Sequence, residues 1–475
     1  MTGRPAPDRR AAREVPANAA LHAFASRLAP YLRTLLEAET RRRNSSLTLI
    51  ASEWAMGGTI RDALSSVFAE KYFEGTPSNE SLDRLIASGL ISRDLVRLKR
   101  PGWYAPGCDL YDDLTWLGQS AVLDLFDPGG SADYYVDNRV LSGSQANQAV
   151  ALTIMKRTRK KQLRIMCLAL DDGGHLSHGL KGNIAGILHE IVPYRVRPDT
   201  EQVGFDDLAE QIEEQRPDLF IYGGSACPRD WDHARIMALA ALSPDTHFLF
   251  DGSHPAGLIA AGLNANPFLA GVHFITMTTN KTLCGPRGAF AACQPEWAES
   301  LARSVFPGLT AGPHGNEMYA KLVAYQNAGS AAFRDLMALV RANGRTLAET
   351  LMSTHGIRLV TGGTDTHMAL IDLRGYGGDE PLTGMQAEIW AEECGIYLNR
   401  NTIPYDPMPD QNRTSGLRAG VGVASQRGMG GNEMVAVAGI IASLIHEGGD
   451  PAVRARVARS ARDLIEAFPF SQEYA

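Results

Sequence analysis

Between about residues 130 and 290 the chain alternates short apolar runs with amphipathic stretches. The runs are IMCLAL (165–170), DLFIYG (218–223), HFLFD (247–251) and HFITM (273–277). Between them, FDDLAEQIEEQ and ARIMALAALS carry helical spacing. Apolar strands alternating with helices predict an α/β fold whose mostly parallel sheet is covered on both faces. Ligands of such sheets sit beyond the carboxyl ends of the strands. Three of the runs end in polar clusters: GGSA after the second, DGSH at the third and TTNKT after the fourth. Chemistry is expected there.

Outside this region the pattern changes. Residues 20–44 show apolar positions at helical spacing with Pro30 as an interruption, which predicts an arm. Past residue 325 a long amphipathic stretch (328–354) leads to a strand candidate, IRLVTGG. MALIDL, a helix around 384–394, IYLNRN and two final helices follow, the pattern of a smaller α+β domain. The expected division is a tail and arm at 1–45, a large domain at 46–327 and a small C-terminal domain at 328–475.

Composition narrows the class. A chain of 475 residues exceeds one compact core, so two or three domains are expected. The net charge of −7 gives no general attraction to nucleic acid or an anionic membrane. The basic run KRTRKKQLR (156–164) lacks interleaved aromatics and reads as a solvated helix end. No apolar run approaches the roughly 18 residues of a membrane span. Cys108, Cys167, Cys227, Cys284, Cys293 and Cys394 are scattered, which fits reduced thiols in a cytoplasm better than a disulfide framework or a zinc site. The first twenty residues combine arginines with Asp8, Glu14 and prolines, a composition expected of a disordered tail and not of a transit peptide.

Five segments carry candidate chemistry. SGSQANQAV (142–150) is a small-residue turn opening a helix. Its backbone N–H groups, Ser144 and Gln145 could bind a phosphate, or Ser142 or Ser144 could serve as a plain N-cap. DDGGHLSHG (171–179) places His175 over the strand ends, with a structural loop histidine as the alternative. Asp171, Asp172, His175 and His178 could instead ligate a metal, although no third cluster supports one. Asp251 ends an apolar strand, where a carboxylate needs a cationic partner such as a protonated pyridine nitrogen, or else caps the next helix. Lys281, just past another strand, could form an imine with an aldehyde cofactor. Downstream, the guanidinium of Arg418 in RTSGLRAG suits a substrate carboxylate.

Taken together, these segments resemble the serine hydroxymethyltransferase family, pyridoxal 5′-phosphate (PLP) enzymes of fold type I. The resemblance runs from about residue 45 to the C-terminus through LTLIASEW (47–54), EKYFEG (70–75), LSGSQANQAV, GGHLSHG, GGSA (223–226), DGSHPAGLIAAG, TTNKTLCGPRG, VFPG (305–308), TGGTDTH and TSGLR. It implies a Schiff base on Lys281, Asp251 at the ring nitrogen and His175 stacked on the ring. Ser144, Gln145 and Gly312 would bind the phosphate, Gly312 coming from a partner subunit. Ser225 and His254 would contact the cofactor's phenolic oxygen or its surroundings. Ser52, Tyr72 and Arg418 would handle the amino acid, Tyr72 across a dimer interface. Glu74 would move protons, and Tyr104 and Asn401 would face tetrahydrofolate if it binds. The implied reaction makes or breaks the Cα–Cβ bond of serine or threonine.

The chain departs from the family's pattern in four places. Asn280 replaces a histidine before the lysine. Paired tyrosines become Trp103-Tyr104 and are displaced by an extra segment, 76–102. Asp171-Asp172 replaces a small residue and a histidine, and Ala311 replaces a glycine. Asn79–Ser81 and Ser92–Asp94 could each start a helix in the extra segment, giving a hairpin over the folate entrance. Asp171 and Asp172 would add negative charge to the wall of that entrance, unfavourable for a folate's polyglutamate tail, so weak or absent folate binding is expected. A retained amino-acid core with a remodelled entrance points also to a threonine aldolase or transaldolase, which would pass the glycine unit to another aldehyde without folate. A non-catalytic scaffold is the remaining reading, and the presence of Lys281, Asp251 and Arg418 speaks against it.

Overall fold

The computed structural model describes residues 19–407 and 413–471. The N-terminal tail (1–18) lies outside them. Met1–Ser46 and Leu47–Ala475 form separate compact units. The first contains helix α1 (Ala19–Ser45), which continues through Pro30 where an interruption was expected. Tyr31, Leu32, Leu35 and Leu36 on it are exposed.

The second unit is built on a seven-stranded sheet. Its strands are β1 (Tyr135–Asp137), β2 (Arg164–Leu168), β3 (Glu190–Tyr194), β4 (Leu219–Gly223), β5 (His247–Asp251), β6 (Phe274–Thr278) and β7 (Ala289–Cys293). Their order is β1-β7-β6-β5-β4-β2-β3; β7 runs antiparallel to both neighbours and the other pairings are parallel. Side chains alternate between two cores. Met166, Phe220, Phe248 and Ile275 join one apolar cluster, and Ile165, Leu219, Leu249 and Phe274 join the other. Burial on both faces is why these strands read as unbroken apolar runs.

The extra segment 76–102 is one helix and an irregular return, not a hairpin of two helices. Gly75–Thr76 pairs antiparallel with Gly102–Trp103 at its foot. The Ser78 hydroxyl caps helix α2 (Asn79–Ala87) by accepting from Glu80 N. The segment packs on helix α3 (Asp109–Phe126): Asp112 Oδ1 accepts from Ser78 N at 2.7 Å and Trp103 Nε1 at 2.6 Å. Arg93 bonds Asp127 at 3.0 Å, and Leu82, Leu85, Ile91 and Leu95 are buried. The stretch from Ser92 forms no helix and stays irregular, its apolar residues serving different cores, Leu95 one and Leu98 the other.

Helix α4 (Gly143–Thr158) connects β1 to β2 within the sheet, and past the sheet helix α5 (Ala331–Ser353) leads to the C-terminal part. There a smaller antiparallel sheet has the order β8-β10-β9, from β8 (Met368–Asp372), β9 (Asn399–Asn401) and β10 (Gly416–Gly420). IRLVTGG does not form the expected strand. Only Leu359 bridges to Ile371, and Thr361 turns to φ 63°. The basic run that starts in the last turn of α4 makes contacts within its own chain: Lys156 and Arg157 donate to the Arg303 and Glu296 carbonyls, and Lys160 pairs with Asp218. The six cysteines are free thiols, and no described helix is long and apolar enough to cross a membrane.

Candidate active site

The strand ends line up in register: Gly223 opposite Asp251, and Asp251 opposite Thr276. Beyond them opens a cavity of about 560 Å³. Of the expected site residues, Ser52, Ser144, His175, Ser225, Asp251, His254, Lys281, Asn401 and Arg418 line it.

Asp251 is 5% exposed. Its Oδ2 accepts from Asn147 Nδ2 at 2.8 Å and His178 Nε2 at 2.9 Å, and its Oδ1 accepts from Ser253 N at 3.1 Å. Burial alone would raise its pKa. The His178 hydrogen bond and the positive charge that His178, His175 and Lys281 can offer outweigh that and hold it well below the carboxylate range. The helix-cap alternative does not hold, since the next helix starts only at Ala256. Asn147 is itself oriented by Thr276 Oγ1, which donates to its Oδ1 at 2.7 Å. Sequence reasoning missed Asn147, although it lies one helical turn past Ser144, inside a motif already singled out.

Lys281 sits half-buried in the turn after β6. Burial pushes its amine down to about 8, Asp251 opposes, and Arg418 and Arg287 add to the shift. Among the described residues no hydrogen bond or ion pair engages that amine. Burial likewise takes His175 down to about 4 against the pull of Asp251, so its ring is neutral at pH 7. Its Nδ1 accepts from Ser177 N at 3.2 Å and meets Ser177 Oγ at 2.7 Å, which fixes the ring. Gly173, at φ 102°, lets this loop pass the Ala226 carbonyl, 2.7 Å from where a Cβ would stand.

Arg418, 8% exposed in the middle of β10, donates Nη1–H to Ser225 O at 2.6 Å and Nε–H to Asn399 Oδ1 at 3.2 Å. Burial lowers it to about 10, and it remains a cation at neutral pH. On the opposite wall α4 begins. Ser142 caps it by accepting from Gln145 N, leaving Ser144 open to the cavity at the positive helix end.

Other expectations are corrected. Gln145 does not reach the cavity: its Oε1 accepts from Leu141 N and its Nε2 donates to Thr310 Oγ1. Asp172 does not add charge to the wall, because it is buried against Arg195 at 2.7 Å and accepts from Val196 N. That removes it from the proposed metal cluster. The trio that does assemble is His175, His178 and Asp251, with ligand atoms within 4.8 Å of one another, and two of these already share a hydrogen bond. Tyr72 and Gly312, expected from a partner subunit, lie outside their own chain's cavity, and Glu74 and Tyr104 lie outside it as well. Tyr72 is 63% exposed with its ring against Gly312, and Tyr104 is 75% exposed beside Phe306. No residue of 76–102 lines the cavity, so within one chain the segment does not cover it.

The donor set fits PLP. An unengaged, partly desolvated amine suits its aldehyde, an ionised buried carboxylate suits a protonated ring nitrogen, and a helix start with a free hydroxyl suits its phosphate. A family model described as serine hydroxymethyltransferase matches residues 99–441, and the chain belongs to that family.

Proposed function

We propose that this chain is a PLP-dependent enzyme that makes or breaks the Cα–Cβ bond of a β-hydroxy-α-amino acid, converting serine or threonine to glycine and an aldehyde unit. The observation that carries this is the Lys281 amine, unengaged and facing the same cavity as ionised Asp251 and cationic Arg418. When bound, PLP supplies an aldehyde for amine exchange and a ring that draws electrons from Cα. Asp251 would keep a proton on the ring nitrogen. Ser144 and the start of α4 would hold the phosphate, and neutral His175 would pack on the ring. Ser225 and His254 would stand at the phenolic oxygen or its surroundings. Arg418, with Ser52, holds the carboxylate and so sets which Cα bond faces the ring. Glu74 and Tyr72, supplied by a second copy in a homodimer, move the proton at the β-hydroxyl.

Tetrahydrofolate is the proposed acceptor, faced by Asn401 and, from the second copy that supplies Glu74, by Tyr104. The support is that the extra segment is tied off at its foot and returns Tyr104 beside Glu74. A second reading, folate-independent aldol cleavage or transfer of the glycine unit to another aldehyde, is favoured by Asn280 in the cavity wall where the family has histidine. The division at residue 327 and a cytoplasmic location also belong to this proposal. Incubation with serine, threonine or glycine, with and without tetrahydrofolate, followed by product analysis separates the readings. Folate-dependent exchange between serine and glycine supports the first. Threonine cleavage indifferent to folate supports the second, and no amino-acid turnover with PLP bound sinks both.

A further inference from the structure

Behind the cavity, two buried histidines from distant parts of the chain meet. His254 Nδ1 lies 3.4 Å from His367 Nε2, with the ring planes 13° apart and the centroids 5.5 Å apart, an edge-to-edge contact. His367 is 0% exposed and His254 4%. His367 Nε2 also lies 3.1 Å from the carbonyl oxygen of Ala51.

These contacts leave one proton arrangement. A carbonyl only accepts, so His367 Nε2 carries the hydrogen and shares it between Ala51 O and His254 Nδ1. His367 Nδ1 is buried without a partner, which suits a bare lone pair and not an N–H. His254 Nδ1 must then be bare as well, because a second hydrogen there would point into the first. Both rings are neutral: burial, then Lys281 and Arg418, drives His254 well below its usual range, and burial, then Arg418, takes His367 to about 3. The single proton of His254 therefore sits on Nε2, which has no hydrogen-bond partner among the described residues, on a residue that lines the cavity.

We propose that His367 is a positioning residue which, braced on the Ala51 carbonyl, locks His254 in the Nε2–H tautomer so that it donates into the cavity toward an anionic oxygen. The same brace holds the turn carrying Ser52, since Ala51 O also accepts from Trp54 Nε1 at 3.3 Å. One proton placement on His367 thus serves two cavity walls.

The test is ¹⁵N spectroscopy of the full-length, PLP-loaded chain labelled at histidine, repeated without PLP, with His254 assigned by its loss in His254→Gln. The expected pattern is protonated Nε2 and bare Nδ1 on His254. His367→Phe keeps the volume but has no donor, and should release His254 to a mixture of tautomers. His367→Gln, whose amide can donate to both acceptors, should restore the single form. Turnover should follow, falling roughly 10- to 100-fold in the Phe variant, the range seen when a histidine's orienting partner is lost, and recovering in the Gln variant. A proton on Nδ1 of wild-type His254, or an unchanged pattern in His367→Phe, overturns the proposal. Should the Phe variant fail to fold, the wild-type pattern still decides. The kinetic arm rests on the proposed function and the spectroscopic arm does not, so their failures are distinguishable.

Discussion

The backbone N–H of Tyr104 donates to the carbonyl of Glu74 at 2.9 Å, although residues 75–103 intervene. The ladder that makes this possible rests on Gly75, at φ 138°, where a Cβ would stand 2.2 Å from Gly102 O. Arg139 braces it from beneath, donating Nη1–H to Gly75 O at 2.6 Å while paired with Asp137. The extra segment is thereby looped out without separating the glutamate from the aromatic.

Gly75→Ala should break this junction, combining left-handed strain with a backbone clash. Turnover should fall while PLP still binds, because no residue of the ladder lines the cavity. Equal loss of cofactor and turnover would mean that the ladder matters only for folding.

Leu85→Ala should remove a core contact of the extra segment, since Leu85 is 3% exposed. A cost of about 2–5 kcal/mol is expected from urea unfolding, with the KM for the amino acid unchanged in the folded fraction. A surface ornament would lose almost nothing.

Arg418→Lys should weaken the amino-acid complex. A lysine cannot keep the contacts to Ser225 O and Asn399 Oδ1 and still present a fork to a carboxylate. KM should rise roughly 10- to 150-fold, the equivalent of one charged hydrogen bond. PLP affinity should be little altered. An unchanged KM would assign Arg418 to structure alone.

Uptake of PLP by the cofactor-free chain should depend on pH through Lys281, because only the free amine attacks an aldehyde. With burial holding that amine at about 8, the rate should rise through that pH and level above it. Asp251 favours the charged amine, so Asp251→Asn should move the midpoint down. Arg418 disfavours it, so Arg418→Gln should move the midpoint up. Borohydride should then trap the cofactor on Lys281, and label on another lysine would refute the assignment.

Mixing Tyr72→Phe with Lys281→Ala subunits should restore part of the activity that each lacks alone. Tyr72 and Gly312 touch each other outside their own chain's cavity, the position expected of residues lent to a neighbour. Two inactive parents that stay inactive when mixed, or a fully active monomer, would rule out shared sites.

Several features were legible in the chain because their causes are local. Strands β2, β4, β5 and β6 are buried on both faces, so burial wrote itself into the sequence as apolar runs. Asp251 and Lys281 stand out because each is an ionisable side chain at or just past the end of such a run, and Ser142 because an N-cap acts within three residues. The segment from Ile91 to Leu98 misled for the opposite reason. Its apolar residues at helical spacing suit a helix, yet the chain stays irregular and feeds two separate cores.

The chain by itself thus determined four of the sheet's seven strands, their polar ends and the resemblance that names their residues. The tertiary structure decided which of those residues share a cavity. Gln145 is claimed by Thr310 and Asp172 by Arg195, partners that no local pattern announces. Asn147 holds Asp251 from another element, and His367 reaches His254 from the smaller sheet. Hydrogen bonds and ion pairs act over a few ångströms of space, whatever separation in sequence they span, so a side chain's partner is settled only once the chain has folded around it.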